Sequence, residues 1–276
     1  MKYGGQVELT LKERIPLTSN SFLFRFTLPE PDLVMGTNVS NHVRFNCIRP
    51  TEEFPDGVLV RRFYTPTSGV TQEGYVDLPI KVYRGDVHPD YMMGGQLTSW
   101  LESVNVGDKI LVDGPYKRVE YFGNGYFRVK GRIVKKKNVF FVAGGTGITI
   151  FYPILKAALE SDDPTKFTLI YSNTTEDDII LKHELDYLSK QYPTKFTYVQ
   201  TITKSKDPEN IKAHSGYITI DMLKRYLPLP KDDSLLINMG PKGLNNAFAE
   251  IILNHTKFDP NTMVISKAVN RMIQNR

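Results

Sequence analysis

Cysteine is almost absent from this chain of 276 residues: Cys47 stands alone. One thiol closes no internal disulfide and cannot build a multi-cysteine zinc or iron–sulfur site. It also points to a reducing compartment. Uninterrupted apolar runs are missing too. The most apolar window, Val139 to Leu159, is broken by Gly144, Gly145, Gly147 and Pro153, and Lys135, Lys136 and Lys137 precede it. A buried strand, a tight turn and a helix describe it better than a membrane span. The first nine residues lack the apolar core of a signal peptide, so any membrane anchor is expected elsewhere. Charge of one sign is scarce. Lys plus Arg is 35 against 30 for Asp plus Glu, and the net +5 is too weak to argue for nucleic acid. His42, His88, His183, His214 and His255 form no metal-spaced cluster, and His183-Glu184 lacks the second His of a zinc-protease helix. No metal site and no nucleophilic triad are expected; each His is read as a surface or hydrogen-bonded residue.

What is present is ordinary globular material, 41% apolar and 24% charged. The length suits about two domains at roughly 150 residues each. The two halves have different periods. Up to about residue 118, short alternating runs such as Val7–Leu11 and Phe22–Leu28 are punctuated by Gly and Pro, and only Leu97–Val104 looks helical. That predicts an antiparallel barrel or sandwich with one short helix. Val119–Phe122 and Tyr126–Val129 flank Gly123-Asn124-Gly125, a hairpin signal. The basic stretch Lys130–Lys137 follows, and the domain boundary is placed there. Strands are then expected at Val139–Val142, Phe167–Tyr171, Phe196–Val199, Leu235–Asn238 and Met263–Ile265. Helices are expected after Ile148 and over Asp178–Lys190, Thr219–Tyr226 and Leu244–Leu253. Such alternation predicts a doubly wound, mostly parallel sheet.

Four places carry chemistry. Ala143-Gly144-Gly145-Thr146-Gly147-Ile148-Thr149 joins a strand to a helix, allowing close backbone approach and offering helix N–H groups to an anion. Gly240-Pro241-Lys242-Gly243 follows another parallel strand, and ligands of open sheets sit at such strand ends. In the first half, Arg61–Ser68 combines a guanidinium fork for phosphate with a flat Tyr64 ring and the Thr65 hydroxyl. Asp90–Leu101 places Gly94-Gly95 before the only helix there, with Thr98 near its start.

In order and together these motifs resemble the ferredoxin–NADP reductase superfamily, and within it the NADH–cytochrome b5 reductase branch, from Leu9 to about Ser266. Arg62-Phe63-Tyr64-Thr65-Pro66 is similar to its flavin signature. Ile80-Lys81-Val82-Tyr83, His88-Pro89 and Gly94-Gly95-Gln96-Leu97-Thr98 resemble its flavin-lining and pyrophosphate segments. Gly144–Thr149 resembles its nicotinamide loop, Asn173–Leu181 its adenosine-ribose segment, and Gly240-Pro241 its Cys-Gly-Pro motif.

The resemblance implies an antiparallel β-barrel that binds FAD, residues 1–136 with its connecting hairpin, followed by an NAD-binding α/β domain, 137–276. It implies a reductase taking a hydride from NADH and passing single electrons to a haem protein such as cytochrome b5. It assigns flavin contacts to Arg62, Phe63, Tyr64, Thr65, Ile80, Lys81, Tyr83, His88 and Tyr91, and the pyrophosphate to Gly94, Gly95, Gln96, Leu97 and Thr98. Gly145, Thr146, Gly240 and Pro241 would serve the nicotinamide nucleotide, and Thr149 would approach the flavin from the second domain. Thr65, Lys81 and Met239 form the implied catalytic set. Asp178 lies where the family selects NADH, with Asp177 as a second candidate for the role; a carboxylate accepts ribose hydroxyls and repels a 2′-phosphate. No Arg or Lys stands between Asn173 and Leu181, so NADPH is the less favoured coenzyme.

The chain departs from the pattern at Met239, where the family has Cys, at Ile150, where it has Pro, at Phe63 for Pro, and in its tail beyond Ser266. These departures motivate an alternative, an FAD-holding and weakly active subunit of a larger membrane or electron-transfer assembly. The basic residues of 130–137 are read first as a solvated hairpin and linker, and second as a docking face for an acidic haem protein. The expected location is intracellular, cytoplasmic or at a mitochondrial or endoplasmic-reticulum membrane surface.

Overall fold

A computed structural model describes residues 5–50, 54–85, 92–207, 209, 213–227, 233–255 and 263–264. The chain divides into two compact units, Met1–Arg118 and Val119–Arg276.

In the first unit, alternation at a period of two produces six antiparallel strands: β1 (Gly5–Pro16), β2 (Ser21–Thr27), β3 (His42–Arg49), β4 (Val58–Tyr64), β5 (Tyr75–Lys81) and β6 (Lys109–Tyr116). Their order is β4-β3-β6-β1-β2-β5. Leu9, Leu11, Phe24, Phe26 and Phe45 are fully buried in a single core. Each such side chain stabilises the unit by roughly 1.5–3 kcal/mol. The sheet curls into a half-barrel. Chain leaving β4 reaches β5, where the Thr67 N–H donates to the Asp77 carbonyl at 2.9 Å. Helix α1 (Gln96–Ser103) sends Leu97 and Leu101 into the same core. Asp113 of β6 ties β6 to β3, accepting from Asn46 Nδ2 at 2.8 Å, Arg44 Nη2 at 3.0 Å and Tyr116 OH at 2.6 Å. Burial alone pushes the Asp113 carboxyl upward, but these donors outweigh it and hold its pKa below the ordinary value.

The second unit opens with a small antiparallel sheet, β7 (Val119–Tyr121), β8 (Tyr126–Val129) and β9 (Arg132–Lys135). Gly123, Asn124 and Gly125 all take positive φ, as the hairpin signal requires. Lys130 and Gly131 make a second such turn, so part of the basic stretch is a strand with Arg132, Ile133 and Lys135 exposed. The Asn124 N–H donates to Asp163 Oδ2 at 2.5 Å, which fastens this sheet to the rest of the second unit. The boundary suggested by the basic stretch lies beyond these three strands.

The main sheet is parallel throughout: β10 (Asn138–Gly144), β11 (Lys166–Asn173), β12 (Phe196–Ile202), β13 (His214–Ser215), β14 (Ser234–Met239) and β15 (Met263–Val264), in the order β13-β12-β11-β10-β14-β15. Between them run α2 (Ile148–Leu159), α3 (Lys182–Gln191), α4 (Ile220–Tyr226) and α5 (Lys242–His255). The continuous apolar run of β10 is buried on both faces. Phe141 stacks on Phe151 of α2 at 4.3 Å, while Phe140 and Val142 join Met222, Leu236 and Phe248 in the other core. α3 begins at Lys182, later than its apolar pattern suggests. Glu176–Asp178 form a 3-10 turn with a Thr175–Asp178 capping box, and Leu181 at φ +59° breaks the run. Among the described residues no helix is long and apolar enough to cross a membrane.

Candidate functional site

Each unit carries its own set of candidate residues. In the first, β4 delivers Arg62, Phe63, Tyr64 and, just past its end, Thr65. Arg62 is exposed, and its Nη1 donates to the neighbouring Arg61 carbonyl at 2.8 Å; no acidic residue among those described pairs with it. Phe63 is exposed and meets the Tyr116 ring edge-on at 5.0 Å. Tyr64 packs edge-on against Phe45 at 5.3 Å, and its hydroxyl is buried with no hydrogen-bond partner. Burial drives that hydroxyl far above its ordinary pKa, so it acts as a neutral donor and acceptor. Thr65 is 4% exposed, and its Oγ1 lies 2.8 Å from His42 Nδ1. Burial, helped by the charge of Arg118, lowers the His42 pKa to about 4, so the ring is neutral at pH 7.

The start of α1 is stitched to the end of β5. Ile80 is buried and Lys81 half-buried on that strand. The Tyr83 carbonyl accepts from the Gly95 N–H at 2.7 Å and from Ser99 Oγ at 3.2 Å, and the Tyr83 N–H donates to Thr98 Oγ1 at 3.3 Å. Gly94 needs its φ of +73°. A Cβ on Gly95 would sit 2.3 Å from Thr98 Oγ1. The first intrahelical bond runs from the Ser99 N–H to the Gly95 carbonyl at 2.8 Å, and α1 has neither a side-chain N-cap nor an acid in its first turn. The N–H groups of Gln96, Leu97 and Thr98 precede that bond, as an anion site requires. His88 and Tyr91 lie outside the described residues.

In the second unit the strand order reverses at β10, which has β11 on one side and β14 on the other. The crevice of an open parallel sheet lies at such a switch point, beyond the carboxyl ends of its strands. Both glycine loops stand there and touch. A Cβ on Gly147 would lie 2.2 Å from the Met239 carbonyl oxygen, and one on Gly144 would lie 2.9 Å from Pro241 Cδ. Gly145, Thr146 and Gly147 form a 3-10 turn leading into α2, braced by Thr149 Oγ1 donating to the Thr146 carbonyl at 2.9 Å and Tyr171 OH to the Gly145 carbonyl at 3.0 Å. Thr149 and Met239 are buried, so what Met239 brings against the loop is its backbone.

The ribose segment holds a surprise. Asp178 Oδ2 accepts from Thr175 Oγ1 at 2.7 Å and from the Thr175 N–H at 3.1 Å, so it serves as a local cap. Asp177 is paired with Lys206, which arrives from the loop after β12. Sequence inspection missed Lys206 because it lies 29 residues from Asp177 along the chain. It also missed His42 as the partner of Thr65, and three buried amides, two near the ends of β11 and β14 and one in the first turn of α5. Asn173 has both amide atoms unpartnered, while Asn238 and Asn245 each have an unpartnered Oδ1. An Asn closing an apolar strand, as in Leu169-Ile170-Tyr171-Ser172-Asn173, is the signal that could have found the first of these.

These observations define a class. Residues 8–121 match the family model of the oxidoreductase FAD-binding domain, and residues 141–250 match that of the oxidoreductase NAD-binding domain. The chain is an FAD- and NAD-binding flavoprotein oxidoreductase. It is 35% identical over 264 residues to NADH-cytochrome b5 reductase 2 of Mus musculus, covering 93% of each chain. It is also 36% identical to a nitrate reductase [NADH] of Hordeum vulgare, covering 95% of this chain but 28% of that one, so it spans about a quarter of the plant enzyme. The crystal structure of the cytochrome b5 reductase domain of Ulva prolifera nitrate reductase superposes with a TM-score of 0.86 at 30% identity, covering 94% of this chain and 96% of that one. The chain belongs to the NADH–cytochrome b5 reductase family.

Proposed function

We propose that this protein takes electrons from NADH and delivers them one at a time to a haem protein of the cytochrome b5 type. The observation that carries this reading is a chain that combines an exposed arginine, an unpartnered buried tyrosine hydroxyl and a bare helix N-terminus in one unit with two touching glycine loops at the switch point of the other.

The first set fits FAD. Arg62 and the N–H groups of Gln96, Leu97 and Thr98 would hold its phosphates, with Gly94 and Gly95 keeping the approach clear. The Tyr64 hydroxyl would gain the hydrogen bond it lacks, and its ring offers an apolar face. The buried Thr65 hydroxyl, fixed by neutral His42, would sit at the ring edge without bringing charge; Lys81 would supply a nearby cation. Bound FAD supplies the chemistry itself, two-electron acceptance and one-electron release. In the second unit, Gly145, Thr146, Thr149, Gly240 and Pro241 would shape the nicotinamide nucleotide site, with Met239 closing its floor through the backbone. The buried reduced thiol of Cys47 supports an intracellular home. The acceptor is favoured by the names of the relatives, one a cytochrome b5 reductase and others NADH nitrate reductases.

Anaerobic stopped-flow mixing of the FAD-loaded protein with NADH tests the reading. The flavin absorbance should bleach, and adding oxidised cytochrome b5 should restore it. Flavin that stays oxidised in NADH would sink the proposal.

A further inference from the structure

Choice between NADH and NADPH turns on whether a ribose 2′-phosphate meets a carboxylate or a cation. From sequence, that choice falls to Asp178 alone or to Asp177 beside it. In the structure Asp178 Oδ2 is held by the side chain and backbone of Thr175. Glu176 is engaged as well, accepting from Ser205 Oγ and, at 3.3 Å, from the Lys206 N–H. The loop after β12 is pinned along this segment by two backbone bonds, Thr203 N–H to the Asn173 carbonyl at 3.0 Å and Lys204 N–H to the Thr174 carbonyl at 2.7 Å. That docking fixes the Lys206 ammonium on the Asp177 carboxylate.

The pair is exposed, with side-chain accessibilities of 67% for Lys206 and 64% for Asp177. A phosphate monoester carries nearly two charges and three acceptor oxygens, so it would bind an ammonium left without its carboxylate. The carboxylate beside that ammonium competes for it and repels the incoming phosphate.

We propose that the Asp177–Lys206 pair acts beside Asp178 in setting the preference for NADH: Asp177 withholds a preformed phosphate-binding cation from the 2′-phosphate of NADPH. The inference rests on reading Asn173–Leu181 as the adenosine-ribose segment of an NADH reductase. Lys206 is then a latent specificity residue, uncovered by neutralising its partner.

The test measures kcat/KM for NADH and NADPH by flavin bleaching in the wild type, Asp177→Asn, Lys206→Ala and the double variant. Calorimetric titration with 2′,5′-ADP adds a readout that needs no turnover. Asp177→Asn should raise the NADPH-to-NADH ratio at least tenfold and tighten 2′,5′-ADP by a similar factor. Adding Lys206→Ala should erase both gains. A ratio and a 2′,5′-ADP affinity that do not move in Asp177→Asn would overturn the proposal, and so would gains that survive removal of Lys206. Failure of the underlying reading looks different: neither coenzyme would bleach the wild-type flavin, while the calorimetric arm still decides the role of Lys206.

Discussion

The two proposed cofactor sites lean on different materials. The proposed flavin site in the first unit adds a set of side chains to the bare start of α1: Arg62 with no acidic partner among the described residues, the Tyr64 hydroxyl buried and unsatisfied, Thr65 fixed by His42. The proposed site in the second unit leans on missing side chains. At Gly147 a Cβ would strike the Met239 carbonyl, and at Gly144 and Gly240 it would crowd the facing loop and Leu244. The difference matches what each site must do. Unsatisfied groups are costly until a ligand completes them, so they favour a cofactor that stays. Bare backbone at a helix start binds by shape and dipole and leaves few groups stranded when the ligand departs. That suits a coenzyme which comes and goes.

The largest expected contrast is in acid. His42 is neutral in the fold with a pKa of about 4, against about 6.5 when unfolded. Between those values the unfolded chain takes up a proton that the fold refuses. Stability is therefore complete above pH 6.5 and lost as pH falls through 4, by about 3 kcal/mol. Denaturant melts across that range, followed by flavin release, should show the first unit failing first. His42→Asn should flatten the dependence, and an unchanged slope in that variant would remove His42 as the cause.

Next comes the loop contact. Gly147→Ala drives a Cβ into the Met239 carbonyl, a backbone clash that no side-chain turn relieves. Reduction of flavin by NADH should fall about 100-fold, the order expected when a reacting pair is displaced by an ångström. The flavin spectrum should persist, because the damage lies in the other unit. Loss of flavin in this variant would undo the division of labour. Arg62→Ala should do the reverse, weakening FAD by roughly tenfold to a hundredfold while NAD⁺ binding holds. Arg62→Lys should recover only part, since an ammonium lacks the planar fork. Titration of the apoprotein with FAD, read by flavin fluorescence, measures both.

The smallest effect is at Tyr64. Tyr64→Phe removes a hydroxyl that is unpaired in the protein alone, so the apoprotein should melt no lower, and FAD should bind roughly threefold to tenfold more weakly. A variant that binds FAD as tightly as the wild type would mean the hydroxyl faces something else.

Much of this architecture was legible along the chain, because it rests on local periodicity. Alternating Phe22, Phe24 and Phe26 made a strand of the half-barrel, and the unbroken Val139–Val142 run made a strand buried on both faces. Glycine at 144, 145, 147 and 240 marked turns, since a missing Cβ is written in the residue name. The start of α3 was not legible: the Thr175–Asp178 cap and left-handed Leu181 overrode an apolar pattern that runs on from Asp178. The third strand of the small sheet was hidden by the lysines that sequence inspection took for a linker.

Residue identities alone thus settled which backbone stretches become strands, helices and bare turns, for those follow from φ/ψ preference and the spacing of apolar side chains within a few residues. Pairing was decided by the fold. His42 meets Thr65 across 23 residues, Lys206 meets Asp177 across 29, and Gly147 meets Met239 across a sheet. The physical reason is that burial and charge depend on what chain folding brings alongside. A histidine becomes neutral, or an aspartate becomes a guard over a lysine, only when distant segments close on it.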